Sequence, residues 1–118
     1  MSTGYHEAGL SQKTQNIHRA IASLQEELEA VDWYNQRADV TEDAELKAVL
    51  EHNRNEEIEH AGMLLEYLRR NMSEFDEQLS TYLFSTLPIT QIEEAEEGGE
   101  NDAPSDASSS GLGIGKMD

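Results

Sequence analysis

Two stretches of this chain repeat apolar side chains at three- and four-residue intervals, and that spacing constrains the fold more than any other feature. The first is Ile17, Ile21, Leu24, Leu28 and Val31; the second runs Leu46, Leu50, Asn53, Glu57, His60, Ala61, Leu64 and Leu68. Such intervals lay one stripe down a helix face, because 3.6 residues complete a turn. They predict a helix over roughly Gln15 to Arg37 and another from a cap at Thr41 or Asp43 to Arg69 and Arg70, with Asn71 as a stop signal. Only Val40 and its neighbours separate the two, so they must be antiparallel neighbours in an αα-hairpin. Ser73 as a cap with Asp76 three positions on, then Leu79, Tyr82, Leu83 and Phe84, predicts a short third helix. The fold class is all-α. A helix pair cannot cover a two-sided apolar surface alone, so the expectation is a four-helix bundle completed by dimerisation.

The second stripe is broken where it should be most apolar. Glu57 and His60 lie one turn apart on the buried face, and Glu27 on the first helix points near the stripe between Leu24 and Val31. An unpaired carboxylate there is costly unless it is protonated, hydrogen-bonded or bound to a cation. A carboxylate-bridged two-iron site in a helical bundle takes a Glu from each of two helices and a Glu-x-x-His from each of two others. This chain has one of each, so a symmetric pair of chains supplies the full set. Carboxylates neutralise and bridge two ferrous ions, and a neutral imidazole adds a borderline donor. Manganese or zinc suits the same donors, and a Glu-x-x-His alone is weak in so acidic a chain. Its place on the apolar face is what raises it. On spacing alone, Glu26, Glu29 and Asp32 read as a solvated acidic face, Trp33 and Tyr34 as packing anchors, and His52 as a surface residue; His6 sits in the N-terminal stretch.

Composition narrows the chemistry. At 118 residues and 36% hydrophobic the chain is one small domain with a modest core. With no cysteine it has no thiolate zinc site, iron–sulfur cluster or cysteine nucleophile, so any metal is held by oxygen and imidazole. A net charge of -17 disfavours nucleic acid and anionic membranes, and nothing in the chain reads as a signal peptide or a bilayer span, which points to an intracellular protein. Residues 85–118 carry 8 acidic and 1 basic side chains amid Ser and Gly, a composition read as unfolded. At its end Gly111-Leu112-Gly113-Ile114-Gly115-Lys116-Met117 alternates glycine with larger side chains, as suits either a random tail end or an extended docking peptide. A non-catalytic helical adaptor or divalent-cation binder, and a rubrerythrin-like peroxidase, remain alternatives, the peroxidase weakened by the missing cysteines.

The runs Glu26-Glu27-Leu28-Glu29-Ala30-Val31-Asp32-Trp33-Tyr34-Asn35-Gln36-Arg37, His52 to Ala61, and Thr81-Tyr82-Leu83-Phe84 with Pro88-Ile89 resemble the encapsulated ferritins over nearly all of residues 15–90. The resemblance implies a half-ferritin helical domain over 13–87, after a flexible N-terminus at 1–12 and before a disordered acidic linker at 88–110. It implies a ring-shaped homodecamer built from dimers, and a ferroxidase oxidising Fe(II) to Fe(III) with dioxygen at a site shared by two subunits. Glu27, Glu57 and His60 correspond to the di-iron ligands, with Tyr34 beside them. Glu26, Glu29 and Trp33 correspond to a second metal location that draws iron inward and also suits calcium or another divalent cation. Residues 111–118 resemble the peptide by which such cargo docks inside an encapsulin shell, here through Leu112, Ile114 and Met117. After Gly115 this chain departs from the expected pattern, with Lys116-Met117-Asp118 in place of a small residue and Leu. The implied setting is a cytoplasmic encapsulin nanocompartment serving iron storage and detoxification.

Overall fold

The computed structural model describes residues 4–102, with side chains through 97. Four helices account for most of them: α1 (Gln12–Val40), α2 (Ala44–Asn71), α3 (Ser73–Tyr82) and α4 (Ile89–Asp102). No strand occurs among the described residues. They fall into two compact units, one ending at Asn71 and one beginning at Met72.

The first unit is the antiparallel hairpin of α1 and α2. Helix α1 starts one turn earlier than the stripe predicts because Ser11 caps it, its side-chain oxygen accepting from the Thr14 amide. Residues 4–11 have no regular structure, but they fold against α1. The Tyr5 ring meets the His18 ring edge-on with centroids 4.9 Å apart, and Gly4, at φ +83°, lies where a Cβ would come within 2.9 Å of that imidazole.

Two residues at the hairpin turn divide the capping between them. Thr41 closes α1, its amide and its hydroxyl both donating to the Arg37 carbonyl. Asp43 opens α2, with Oδ2 accepting from the Leu46 amide at 2.9 Å. Val40 therefore belongs to α1, and the connection is Thr41 to Asp43. In the half of the pair nearer the turn, Arg54 Nη1 donates to Asn35 Oδ1 across the interhelical seam at 3.0 Å.

The residues buried in the hairpin are Ala20, Ala38, Ala61 and Leu68. Larger apolar side chains stay half exposed: Leu28 at 53%, Ile58 at 50%, Met63 at 61%. Alanines let the two backbones approach, while Leu28, Ile58 and Met63 keep about half of their surface in water.

In the second unit, α3 differs from expectation at its start. Ser73 is the first helical residue, and Met72 holds the cap position in extended conformation with no side-chain bond. Helix α2 runs through Asn71, which leaves a single residue for the turn. The Met72 carbonyl accepts the Phe75 and Asp76 amides. At the other end Phe84 leaves the apolar stripe on which its spacing placed it. It takes φ +63°, a left-handed conformation rare for an aromatic, with its side chain 98% exposed.

Composition was misleading for the first part of residues 88–110, a segment read as unfolded. Over Ile89–Asp102 they form α4. The Pro88 carbonyl accepts the Gln91 and Ile92 amides, proline's fixed φ favours a first helical turn, and Ile92 is buried. Glu, Gln and Ala also have good helix propensity, which a low hydrophobic content hides. The remainder of that segment and the peptide at 111–118 lie outside the described residues.

Candidate metal centre

Helix α1 contributes Glu27 and helix α2 contributes Glu57 and His60, placed by the same three- and four-residue arithmetic that makes the stripes. One donor atom from each lies within 4.8 Å of the other two. His60 Nδ1 stands 3.4 Å from Glu27 Oε1 and 3.4 Å from Glu57 Oε1, and all three side chains are partly buried. Glu27 Oε1 has no hydrogen-bond partner although it is shielded from water.

The electrostatics follow from crowding. The Glu27 carboxyl is raised above the usual range, first because it and Glu57 compete for one proton and then because burial disfavours its charge. Glu57 is lowered as the acceptor in that contact, with further help from His60. Burial works against a charged His60, yet the two carboxylates outweigh it and the imidazole is raised. Two carboxylates and an imidazole crowded in this way suit a divalent cation, which would give the orphaned oxygen a partner and offset the carboxylate repulsion.

The other acidic residues do not converge in this way. Glu26 and Glu29 are exposed, and neither joins Glu27 in a cluster of three donors among the described residues. Trp33 is 51% exposed, and Tyr34 lies seven residues beyond Glu27, about two turns along the same face. His52 Nε2 pairs loosely with Glu56 at 3.9 Å on the surface. An open groove of about 450 Å³ elsewhere on α2 is lined by Glu59, Gly62, Met63, Glu66, Tyr67 and Arg70, without the ligand cluster.

Two contacts escaped the sequence reading. Arg37 sets its guanidinium over both Trp33, 5.9 Å from the ring centroid, and Tyr34, at 5.7 Å. Glu66 is held by both Arg69 and Arg70. Each follows the i,i+3 and i,i+4 rule, which was applied to the apolar stripe and not to the cations.

An antiparallel helix pair with a Glu on one helix and a Glu-x-x-His on the other matches half of the donor pattern of a di-iron helical bundle. The chain belongs to the EncFtn-like family, whose model matches residues 4–86. It is 54% identical over 114 residues to an encapsulated ferritin-like protein of Rhodospirillum rubrum, covering 92% of this chain and 81% of that one. A ferritin-like protein of Thermotoga maritima is 50% identical over 119 residues, 99% of this chain and all of its own length. The crystal structure of a Nitrosomonas europaea protein, 58% identical, superposes with a TM-score of 0.70 over 73% of this chain and 97% of that one.

Proposed function

We propose that this protein is a ferroxidase in which two copies of the chain complete one di-iron site, and that it works as cargo of an encapsulin shell. The observation that carries the reading is the buried, unpartnered Glu27 Oε1 facing Glu57 and His60. Three donors cannot satisfy two ferrous ions, and a two-fold axis beside this face doubles them to the six that a bundle site uses. The half-exposed Leu28, Ile58 and Met63 support the same meeting, since a second hairpin laid on them recovers the apolar burial that one hairpin forgoes.

Ferrous iron is the substrate. Glu57 is assigned the bridge between the ions, Glu27 and His60 of each chain complete their coordination, and Tyr34 lies further along the same helix face. Glu27 and His60 must both be deprotonated to coordinate, so any proton on either leaves as iron binds. Dioxygen accepts one electron from each ferrous ion, and ferric product departs. A helix pair encloses no storage cavity, so the mineral is held by another protein. Glu26, Glu29 and Trp33 would gather iron, calcium or another divalent cation once dimers assemble into the proposed ring of ten subunits.

Glu57→Ala is expected to lower iron-dependent oxygen uptake by at least a hundredfold, and wild-type uptake by the folded variant refutes the site. Native mass with and without ferrous iron tests assembly and site together, with a metal-dependent shift to dimers or decamers expected. Leu112, Ile114 and Met117 are assigned to shell docking. Removal of residues 111–118 should leave oxygen uptake unchanged and end co-purification with a co-expressed shell protein; continued encapsulation would sink the targeting assignment.

A further inference from the structure

Arg37 stands apart from the other arginines of the hairpin. Arg69 and Arg70 neutralise Glu66, and Arg19 and Arg54 bond to amide oxygens of Asn16, Asn35 and Asn55. Among the described residues Arg37 makes no ion pair, in a chain with 25 acidic side chains. Its guanidinium instead lies over two adjacent aromatic rings, 5.9 Å from Trp33 and 5.7 Å from Tyr34. Its backbone is fixed as well, because its carbonyl accepts both the amide and the hydroxyl of Thr41. Trp33 is the chain's one tryptophan. The two rings lie six and seven residues beyond Glu27, about 9 to 11 Å along the helix axis.

A cation over an aromatic face is attracted to the neutral ring. It repels the positive charge left when that ring loses an electron, so the reduced state is favoured twice over. We propose that Arg37 is a positioning residue which, by holding its charge over Trp33 and Tyr34, makes both rings poor one-electron donors and keeps them intact while iron is oxidised nearby. The benefit during iron oxidation rests on the ferroxidase reading; the effect on the rings does not. Two ferrous ions and two protons convert dioxygen to hydrogen peroxide. Peroxide meeting another ferrous ion yields a ferric ion, hydroxide and hydroxyl radical. That radical becomes hydroxide by taking one electron from an indole or phenol ring. Rings that yield electrons reluctantly leave more of this oxidising power to ferrous iron.

The test uses the full chain without iron. Photoexcited riboflavin is a neutral one-electron acceptor, so the chain's net charge does not steer its approach. It takes an electron from Trp33, the reduced flavin passes that electron to dioxygen, and the resulting superoxide joins the indole radical with a proton to give a hydroperoxide, a gain of two oxygens that mass spectrometry reads on the single tryptophan peptide. Arg37→Gln and Arg37→Met, the second keeping the aliphatic stem on the rings, are expected to oxidise three- to tenfold faster than wild type. The lower figure, about threefold, is what a unit charge roughly 6 Å away gives at the screening of bulk water. Arg37→Lys should stay near wild type. Equal rates in wild type and both neutral variants overturn the proposal, as does an Arg37→Lys rate matching theirs, since that would mean packing and not charge. Aerobic ferrous cycling is the second arm, with more Trp33 oxidation in Arg37→Gln at unchanged oxygen uptake expected. If no chain consumes oxygen with iron, the ferroxidase reading falls while the photochemical difference still decides the role of Arg37.

Discussion

Two glutamates of helix α2, Glu57 and Glu66, each have a basic side chain three residues on, and they meet opposite fates. Glu66 is held by Arg69 at 2.8 Å and Arg70 at 2.6 Å, and its carboxyl is pushed down to about 2 by those two guanidinium groups. Glu57 has His60 at the matching position, and across the seam it meets a second carboxylate, Glu27. One acid is satisfied by the chain's own cations. The other is left facing a like charge and an imidazole, a crowding that the proposed cation would relieve. Where a helix omits the arginine, it leaves room for a metal.

Converting one arrangement into the other breaks this comparison most severely. His60→Arg puts a guanidinium three residues after Glu57, as Arg69 follows Glu66. The expected result is complete loss of iron-dependent oxygen uptake together with a melting temperature several degrees above wild type in metal-free buffer. A melting temperature below wild type would show that the crowded carboxylates are not the cost inferred here. A smaller effect is expected outside the ligand face. Glu26→Gln with Glu29→Gln should slow iron oxidation about two- to fivefold at low ferrous concentration and little at saturation, because local attraction is lost while the ligands remain; an equal loss at saturation would place these residues in the catalytic site itself.

The smallest effect concerns Glu66. Its folded-state pKa is depressed, so its contribution is fully present above the unfolded value near 4.5 and disappears as pH falls through about 2. The pair is about 40% exposed, which screens it, and Glu66→Gln should cost less than about 1 kcal/mol at pH 7 by denaturant unfolding. That difference should close between pH 4.5 and pH 2. A constant difference over that range would locate the loss in packing.

The convergence of Glu27, Glu57 and His60 was legible because helix periodicity is strict. Once Leu24, Val31, Leu64 and Leu68 define the stripes, Glu27, Glu57 and His60 must face the seam, and they do. Capping was less legible, since Thr41 and Asp43 both have suitable side chains and only the backbone path shows that one closes α1 while the other opens α2. Helix α4 was missed because mean composition weighs charge against burial and overlooks propensity, so a Glu-rich segment anchored by Ile92 reads as unfolded. Phe84 was misplaced because its spacing continues α3, whereas the chain has already turned into a left-handed conformation there.

That each proposed ligand comes once per chain has a consequence for inheritance. If a site draws on two copies, a defective subunit silences the sound one beside it. In a cell making equal amounts of wild-type and Glu57→Ala chains that pair at random, about a quarter of the sites would keep all their ligands. Half the product would then yield well under half the activity, and a single damaged allele would behave as a dominant one.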